Sequence, residues 1–499
     1  MSRQKNSRRA LAGRIATALV YPGPAAQGKA SLAMAALAEQ VAKDGASYER
    51  VFWDGSGGRT PLSESGRALA DFDVLFFTTA FEEQWVLVPQ LLAAAGIPAR
   101  AEKRNAAHPL VAVGGFAVRL NPGPIAPFTD MLIPGEAEPV LPEILGVIRE
   151  GTGAPRAELL DQLAAIDGVG VRPGPQASIM ARLYDGDCPV AQRKIERGSI
   201  FADMLLVETG RGCPVGCKFC AVAHSRRPPL FFPVDNILEA AREGLRPGRR
   251  VGLVGASLSR HPRLFELLER LSAQGVDLSP ASLDAAVLAS RNGEKLVAYL
   301  AGAGQRTLTL APECGSRKLR LRIGKTLTDD NLECAVGRLA EAGILHLKLY
   351  FMYGLPGEQP DDVEQIVQLA ARARKWMYGP QRRRGRAGRL VVSANPFVPK
   401  PLTPYAAEPM ARLAYLKSTR VKLAAGIRKI GGVSFSGFSP RRAVMQCLLD
   451  RAGPELADLL EETRGRWPPS RELLKAHVPN LEDLLAGGLV TPGPRVVLE

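Results

Sequence analysis

The sequence predicts an α/β protein in two parts. A doubly wound parallel sheet comes first, a partial (β/α)6 barrel of TIM type follows, and a small helical tail closes the chain. Three observations carry this. Short apolar runs alternate with helical stretches before residue 150, and the alternation starts again near residue 201. The runs are bounded by Gly, Pro or Asp, as buried parallel strands are. The second alternation holds six strand–helix units in order, the pattern of a barrel, whereas the first is that of an open sheet.

In the first part, residues 14–21, 48–53, 73–78, 110–113 and 130–133 read as strands. A helix between the first two is marked by Met34, Leu37 and Val41 at i, i+3 and i+7. Open sheets bind ligands at the carboxyl ends of their strands. There Gly114-Gly115 follows the fourth strand and Gly135-Glu136 the fifth. Residues 151–200 form a less regular bridge, with Pro173-Gly174-Pro175 and Asp185-Gly186-Asp187 as turn signals. In the second part, strands are expected at 204–208, 251–254, 276–279, 307–310, 345–352 and 390–394. The expected divisions are 1–150 for the sheet, 151–200 for the bridge, 201–450 for the barrel and 451–499 for a helical extension.

Composition narrows the class. With 499 residues, 46% hydrophobic and 23% charged, the chain is ordinary globular protein with room for two or three domains. No run of about 18 apolar residues exists, so no membrane helix is expected. The basic start, Met1 to Arg9, is followed by an apolar run that Arg14 breaks. That run suits a buried strand better than a signal peptide, and the protein is expected in the cytoplasm. The net charge of +15 is compatible with phosphate-bearing partners, yet no basic patch with interleaved aromatics marks a nucleic-acid surface. The most basic run, Gln381-Arg382-Arg383-Arg384-Gly385-Arg386, reads as a flexible loop.

Seven cysteines are an odd number, and three of them crowd within eight residues: Cys213-Pro214-Val215-Gly216-Cys217-Lys218-Phe219-Cys220. A disulfide framework is not built this way, and so tight a group in an intracellular chain points to metal or catalysis. The loop follows the first barrel strand, on the face where barrel active sites lie. Three thiolates in C-x3-C-x2-C spacing can hold three irons of a four-iron cluster and leave the fourth open. Gly210, Gly212 and Gly216 let the chain turn around a bulky group, and Arg211 and Lys218 favour thiolates. A zinc site, with His224 as fourth ligand, is the competing reading.

At this point the chain resembles the radical S-adenosylmethionine (SAM) superfamily, with a core similar to its methylthiotransferase-like members. The resemblance implies a 4Fe-4S cluster on Cys213, Cys217 and Cys220, SAM on the open iron, and reductive cleavage of SAM to a 5′-deoxyadenosyl radical. It implies an electron donor such as flavodoxin or ferredoxin. Phe219 matches the aromatic beside the adenine. Gly255 and Ser257, in Leu253-Val254-Gly255-Ala256-Ser257, match backbone at the SAM amino group. Glu313, Ser316 and Arg317 match the ribose or methionine end, and Gly354 and Gly357, in Tyr353-Gly354-Leu355-Pro356-Gly357-Glu358, the adenine side. Asn395-Pro396-Phe397-Val398-Pro399-Lys400-Pro401 resembles a segment of methylthiotransferases.

The N-terminal part resembles the cobalamin-binding-type, Rossmann-like domain fused ahead of many radical SAM enzymes. This implies Gly114, Gly115, Gly135 and Glu136 as cofactor contacts and opens the reading of a cobalamin-dependent methyltransferase. The cobalt-ligating Asp-x-His-x-x-Gly is missing, and His108 is the sole histidine before residue 200. Two alternatives stand beside it. Methylthiotransferase action on RNA conflicts with the lack of any cysteine before Cys188. A cobalamin or iron-sulfur sensor without catalysis is the other. The substrate, whether small molecule, peptide or RNA, stays open. Cys188, Cys314, Cys334 and Cys447 read as buried thiols, with Cys314 the one placed at a strand end near the site.

Overall fold

The computed structural model describes residues 15–498, apart from 59, 175, 194, 202, 281, 282, 384, 386 and 488–492. The basic start, Arg14 of the first strand, Pro175 of the turn signal, and Arg384 and Arg386 of the basic run lie outside the described residues.

The first part is a six-stranded sheet. Its strands are β1 (Ala16–Pro22), β2 (Ser47–Trp53), β3 (Val74–Thr78), β4 (Leu110–Gly114), β5 (Met131–Ile133) and β6 (Gly170–Val171). Their order is β2-β1-β3-β4-β5-β6, parallel throughout except for antiparallel β6. This is the doubly wound arrangement, with its order switching at β1/β3. All five expected strands are present. β6 and the helix Arg156–Ala164 lie in the segment expected as a bridge; Leu160 and Leu163 of that helix join one core face of the sheet, beside Leu19, Phe76 and Ile144.

A short strand, β7 (Ser178–Ala181), precedes the second part. There β8 (Met204–Arg211), β10 (Arg250–Gly255) and β11 (Asp277–Pro280) pair in parallel, with β9 (Leu230–Phe231) antiparallel on the outer edge of β8. β12 (Thr307–Glu313), β13 (His346–Tyr353), β14 (Leu390–Pro396) and β15 (Val433–Ser436) form a second parallel set. The amide of Leu283 donates to Thr309 O at 3.4 Å between the two sets. The result is a half-barrel holding all six expected strands, followed by β15. β13 alternates strictly: Leu347, Leu349, Phe351 and Tyr353 are buried, while His346, Lys348, Tyr350 and Met352 are partly exposed. That period of two is the signature of a strand with two unlike faces.

One expectation is corrected. Gln381, Arg382 and Arg383 are the last turn of the long helix Pro360–Arg383, not a loop. Apolar residues such as Ile366, Leu369 and Met377 carry the helical pattern well past the point where charge takes over.

The tail is helical, as expected, with Ala457–Glu462, Arg471–His477 and Leu481–Leu485, and it ends in β16 (Arg495–Leu498), which pairs parallel with β7. It also ties the two parts together. Gln90 Nε2 donates to Leu460 O and Glu461 O at 3.0 Å each, and Arg100 pairs with Glu461 at 2.7 Å. Asn121 Nδ2 donates to Leu449 O and Ala452 O. One apolar core runs from Val20, Phe77 and Val113 of the sheet through Leu459 and Leu460 to Leu349 and Val392 of the half-barrel. Among the described residues, no helix is long and apolar enough to cross a membrane.

Asp130, just ahead of β5, is fully buried and takes hydrogen bonds from Arg104 Nε (3.0 Å), Arg156 Nη2 (2.7 Å), Arg172 Nη2 (3.0 Å) and the Val111 amide (3.0 Å). The Arg104 side chain is itself fully buried. Asp130→Ala strands that guanidinium without its counter-charge and is expected to cost about 3–5 kcal/mol. Urea unfolding followed by circular dichroism measures it. A loss under about 1 kcal/mol contradicts the ion pair's role.

Candidate active site

The cysteine loop leaves the carboxyl end of β8, as a barrel site requires. Gly212 and Gly216 take φ of +77° and +70°, which L residues avoid, so the turn into Cys213 and the turn between Cys213 and Cys217 depend on glycine. Cys213 and Cys220 are half-buried and Cys217 is buried; all three are free thiols. The loop is pinned from below. The Lys218 amide donates to Ile323 O at 2.9 Å, and the Tyr405 amide donates to Lys218 O at 3.3 Å. Phe219 packs on an apolar cluster of Cys314, Leu319, Ile323, Leu355, Phe397 and Tyr405.

Charge and dipoles around the thiols are mixed. Burial pushes Cys217 up to about 11; Lys325 draws it back down and Glu313 pushes it further up. Burial also raises Cys220, while the Ala223 and Val222 amides, at the start of the helix Ala221–His224, stabilise its thiolate. An iron cluster would supply the positive charge that keeps such thiols deprotonated. The donor set therefore fits a 4Fe-4S cluster: three thiols, amides aimed at one sulfur, and glycine turns that open the loop. It does not favour the zinc reading. His224 Nε2 donates to Cys217 O (3.0 Å) and its Nδ1 accepts from Arg227 Nη2 (3.0 Å), so neither ring nitrogen is free to bind a metal. Among the described residues, no three His, Cys, Asp or Glu side chains gather closely enough for a single ion.

The structure separates the other expected site residues. Glu313 ends β12 at φ +69° and faces the loop with Lys325, whose Nζ is 3.4 Å from its carboxylate. Burial raises the Glu313 carboxyl and Lys325 opposes that. Gly255 closes β10 against Thr209; a Cβ there would stand 2.5 Å from the Thr209 hydroxyl. Ser257 is buried beside it. Gly354 and Gly357 turn the chain after β13, and the Gly354 amide donates to Glu358 Oε1 at 2.7 Å. Ser316 and Arg317 open the helix that follows β12. The Ser316 hydroxyl accepts from the Leu319 amide (3.1 Å) and donates to Asp362, so it caps the helix Arg317–Arg322. Arg317 projects from that helix into solvent. Cys314 is buried, and burial pushes its thiol far up.

Gly114, Gly115, Gly135 and Glu136 do come together. They line a cavity of about 330 Å³ at the carboxyl edge of the N-terminal sheet, beside Arg211 and Gly212. Glu136 takes Arg211 Nη1 at 2.7 Å and Arg226 Nη1 at 3.1 Å, and Arg119 is 3.6 Å away. Gly135 is pressed against the Arg182 carbonyl, and a Cβ on Gly115 would stand 2.5 Å from Thr79 O. Cobalamin exceeds the drug-sized ligands that fill pockets of about 300–1,000 Å³. As it stands this cavity would enclose only part of that cofactor, with its glycines backed by backbone and its carboxylate already paired.

Sequence reasoning passed over a second cavity, of about 560 Å³, on the inner face of the half-barrel. Glu313, Lys348, Tyr350, Met352, Ser393, Asn395, Ser436 and Phe438 line it. The signal was present: His346, Lys348 and Tyr350 alternate with apolar residues in the run that became β13, as Ser393 and Asn395 do in β14.

Fold and site together define a half-barrel α/β protein that presents three free thiols at the mouth of its barrel. Family models agree. Residues 55–171 match the N-terminal region of radical SAM proteins, and residues 207–370 match the radical SAM superfamily. The chain belongs to the radical SAM proteins. It is 27% identical over 460 residues, 90% of this chain and 91% of the relative, to an uncharacterised protein of Methanocaldococcus jannaschii. An uncharacterised protein of Methanopyrus kandleri is 29% identical over 183 residues, covering 33% of this chain and 34% of that one. In fold, the chain is similar to the cobalamin-dependent S-adenosylmethionine radical enzyme OxsB with aqua-cobalamin and S-adenosylmethionine bound. The TM-score is 0.50 at 14% identity, over 93% of this chain and 75% of that chain.

Glu136→Gln removes the charge that faces Arg119, Arg211 and Arg226. The expected loss is about 3 kcal/mol, read as a lower thermal unfolding midpoint. Burial pushes the Glu136 carboxyl up, but the three arginines outweigh it and hold it below its ordinary value of 4.5. Its contribution is therefore complete above pH 4.5 and fades as the pH falls through the lowered value. Wild type and variant should converge in acid; equal midpoints at neutral pH contradict the network.

Proposed function

We propose that this protein is a radical SAM enzyme in which Cys213, Cys217 and Cys220 hold a 4Fe-4S cluster and SAM occupies the open iron. The observation that carries this is the loop itself: three free thiols, the first two each preceded by a glycine turn, at the carboxyl end of β8, over an open half-barrel. When bound, the cluster supplies the electron that cleaves SAM to methionine and a 5′-deoxyadenosyl radical, which takes a hydrogen atom from the substrate.

The chain's own residues do the positioning. The Val222 and Ala223 amides stabilise the Cys220 thiolate. Phe219, packed on Phe397 and Tyr405, holds the loop over the barrel. Glu313 and Lys325 form a neutral pair between the thiols and the barrel cavity, where a polar end of SAM would lie. The apolar core backs one face of the strands, Leu347, Leu349, Phe351 and Tyr353 in β13, and leaves the other face to the cavity. A one-electron donor such as flavodoxin or ferredoxin completes the requirement. The fold likeness to OxsB and the position of the N-terminal cavity support cobalamin-dependent methyl transfer as a second reading. The volume of that cavity and the pairing of Glu136 speak against it.

Anaerobic reconstitution should give about four irons per chain. With dithionite and SAM the protein should form 5′-deoxyadenosine. Cys213→Ala, Cys217→Ala and Cys220→Ala should each bring formation to background, and Cys314→Ala should keep it. Metal analysis should find iron without stoichiometric cobalt. A Cys213→Ala protein with full iron and undiminished cleavage contradicts the assignment. A full cluster that makes no 5′-deoxyadenosine favours a non-catalytic sensor.

A further inference from the structure

The inner face of the half-barrel carries a charge that the fold itself does not use. Lys348 lies on the exposed face of β13, and its ammonium is 4.7 Å from the Tyr350 ring centroid. It forms no ion pair among the described residues, in a protein where most buried or half-buried cations are paired. Among the described residues, the one carboxylate lining the same cavity, Glu313, is engaged by Lys325, and no arginine lines it.

Strand register builds a receptor around this charge. Tyr350 pairs with Ser393 across β13 and β14, and Ser393 with Ser436 across β14 and β15, so three hydroxyls form one row. The row above it holds Met352 beside Asn395. Ser393 is only 5% exposed, yet no hydrogen bond to its hydroxyl is made among the described residues. An ammonium offers three donors and each hydroxyl one more. An ammonium that has no carboxylate of its own, beside hydroxyls free to turn their hydrogens toward a ligand, suits an anion.

We propose that this cavity binds the substrate, and that the substrate is a small organic molecule with a free carboxylate that pairs with Lys348 and the Tyr350–Ser393–Ser436 row. This rests on the radical SAM reading above. One ammonium balances one negative charge; a phosphate ester, at about −1.5 to −2, leaves an excess beside Glu313. Lys348 lies about 13 Å along the strand from Met352 at the rim. Glu313 stands at that rim, within electrostatic reach of Cys217 and Cys220. The carboxylate therefore sits deep, with the reacting carbon held toward the cysteine loop and Met352 and Phe438 against the carbon skeleton.

The test uses anaerobic, SAM-loaded holoenzyme and three carboxylates, sodium benzoate, phenylacetate and hexanoate. Their methyl esters and phenyl phosphate serve as matched probes, and binding is read by saturation-transfer NMR. At least one carboxylate is expected to bind at least about tenfold more tightly than its ester and than phenyl phosphate. Lys348→Met should lose that preference and Lys348→Arg should retain it. Iron content and circular dichroism show that each variant is folded. Equal binding of acid and ester, tighter binding of phenyl phosphate, full carboxylate binding by folded Lys348→Met, or no carboxylate binding at millimolar concentration overturns the proposal. Wild-type 5′-deoxyadenosine formation is measured on the same preparation. Its absence counts against the radical reading, whereas the NMR result reports on the cavity alone.

Discussion

Arg211 is the last residue of β8 and stands two positions before the first cysteine of the loop. Three carboxylates grip it: Glu208 at 2.8 Å from its own strand, and Glu136 at 2.7 Å and Glu138 at 2.6 Å from the edge of the N-terminal sheet. It is largely buried, its guanidinium lies over the rings of Tyr184 and Phe232, and its neighbours hold it firmly charged. A planar, five-donor cation can satisfy several carboxylates at once where an ammonium cannot. The direction in which the cysteine loop leaves the barrel is thus set from outside the barrel. Arg226, just past the loop, reaches the same Glu136, so both ends of the loop are fastened to one carboxylate.

The same logic recurs on the far side. Lys400, in the loop after β14, pairs with Glu82 of the N-terminal part and Asp450 of a C-terminal helix, at 3.0 Å each. Glu82 and Asp450 are both buried. Burial drives the Asp450 carboxyl well up, while Lys400 favours ionised Glu82, consistent with one proton shared between two close carboxyls. With the tail bonded to Gln90, Arg100 and Asn121, the N-terminal sheet is a brace for the half-barrel. An open barrel lacks the closure that stiffens a complete one, and external bracing supplies it.

Much of this was legible in the sequence because it rests on local patterns. Strand positions followed from apolar runs, and the loop followed from three cysteines among glycines. What could not be read depends on pairing across long separations. Ser316 matched a family position, yet its hydroxyl caps a helix and bonds to Asp362, 46 residues away. Gly135 and Glu136 stood at a strand end, as ligand-binding residues do, but Arg182, Arg211 and Arg226 fold over them. Lys348 and Tyr350 were hidden inside a run read only as a strand. Their importance shows once register sets Ser393 and Ser436 beside them.

The central claim is that the braced loop carries a redox-active cluster with one iron open to SAM. Electron paramagnetic resonance of the dithionite-reduced, reconstituted protein tests it most directly. The account predicts the signal of a reduced 4Fe-4S cluster whose g values shift when SAM is added. A protein with no reducible cluster, or a cluster signal unchanged by saturating SAM, would contradict it.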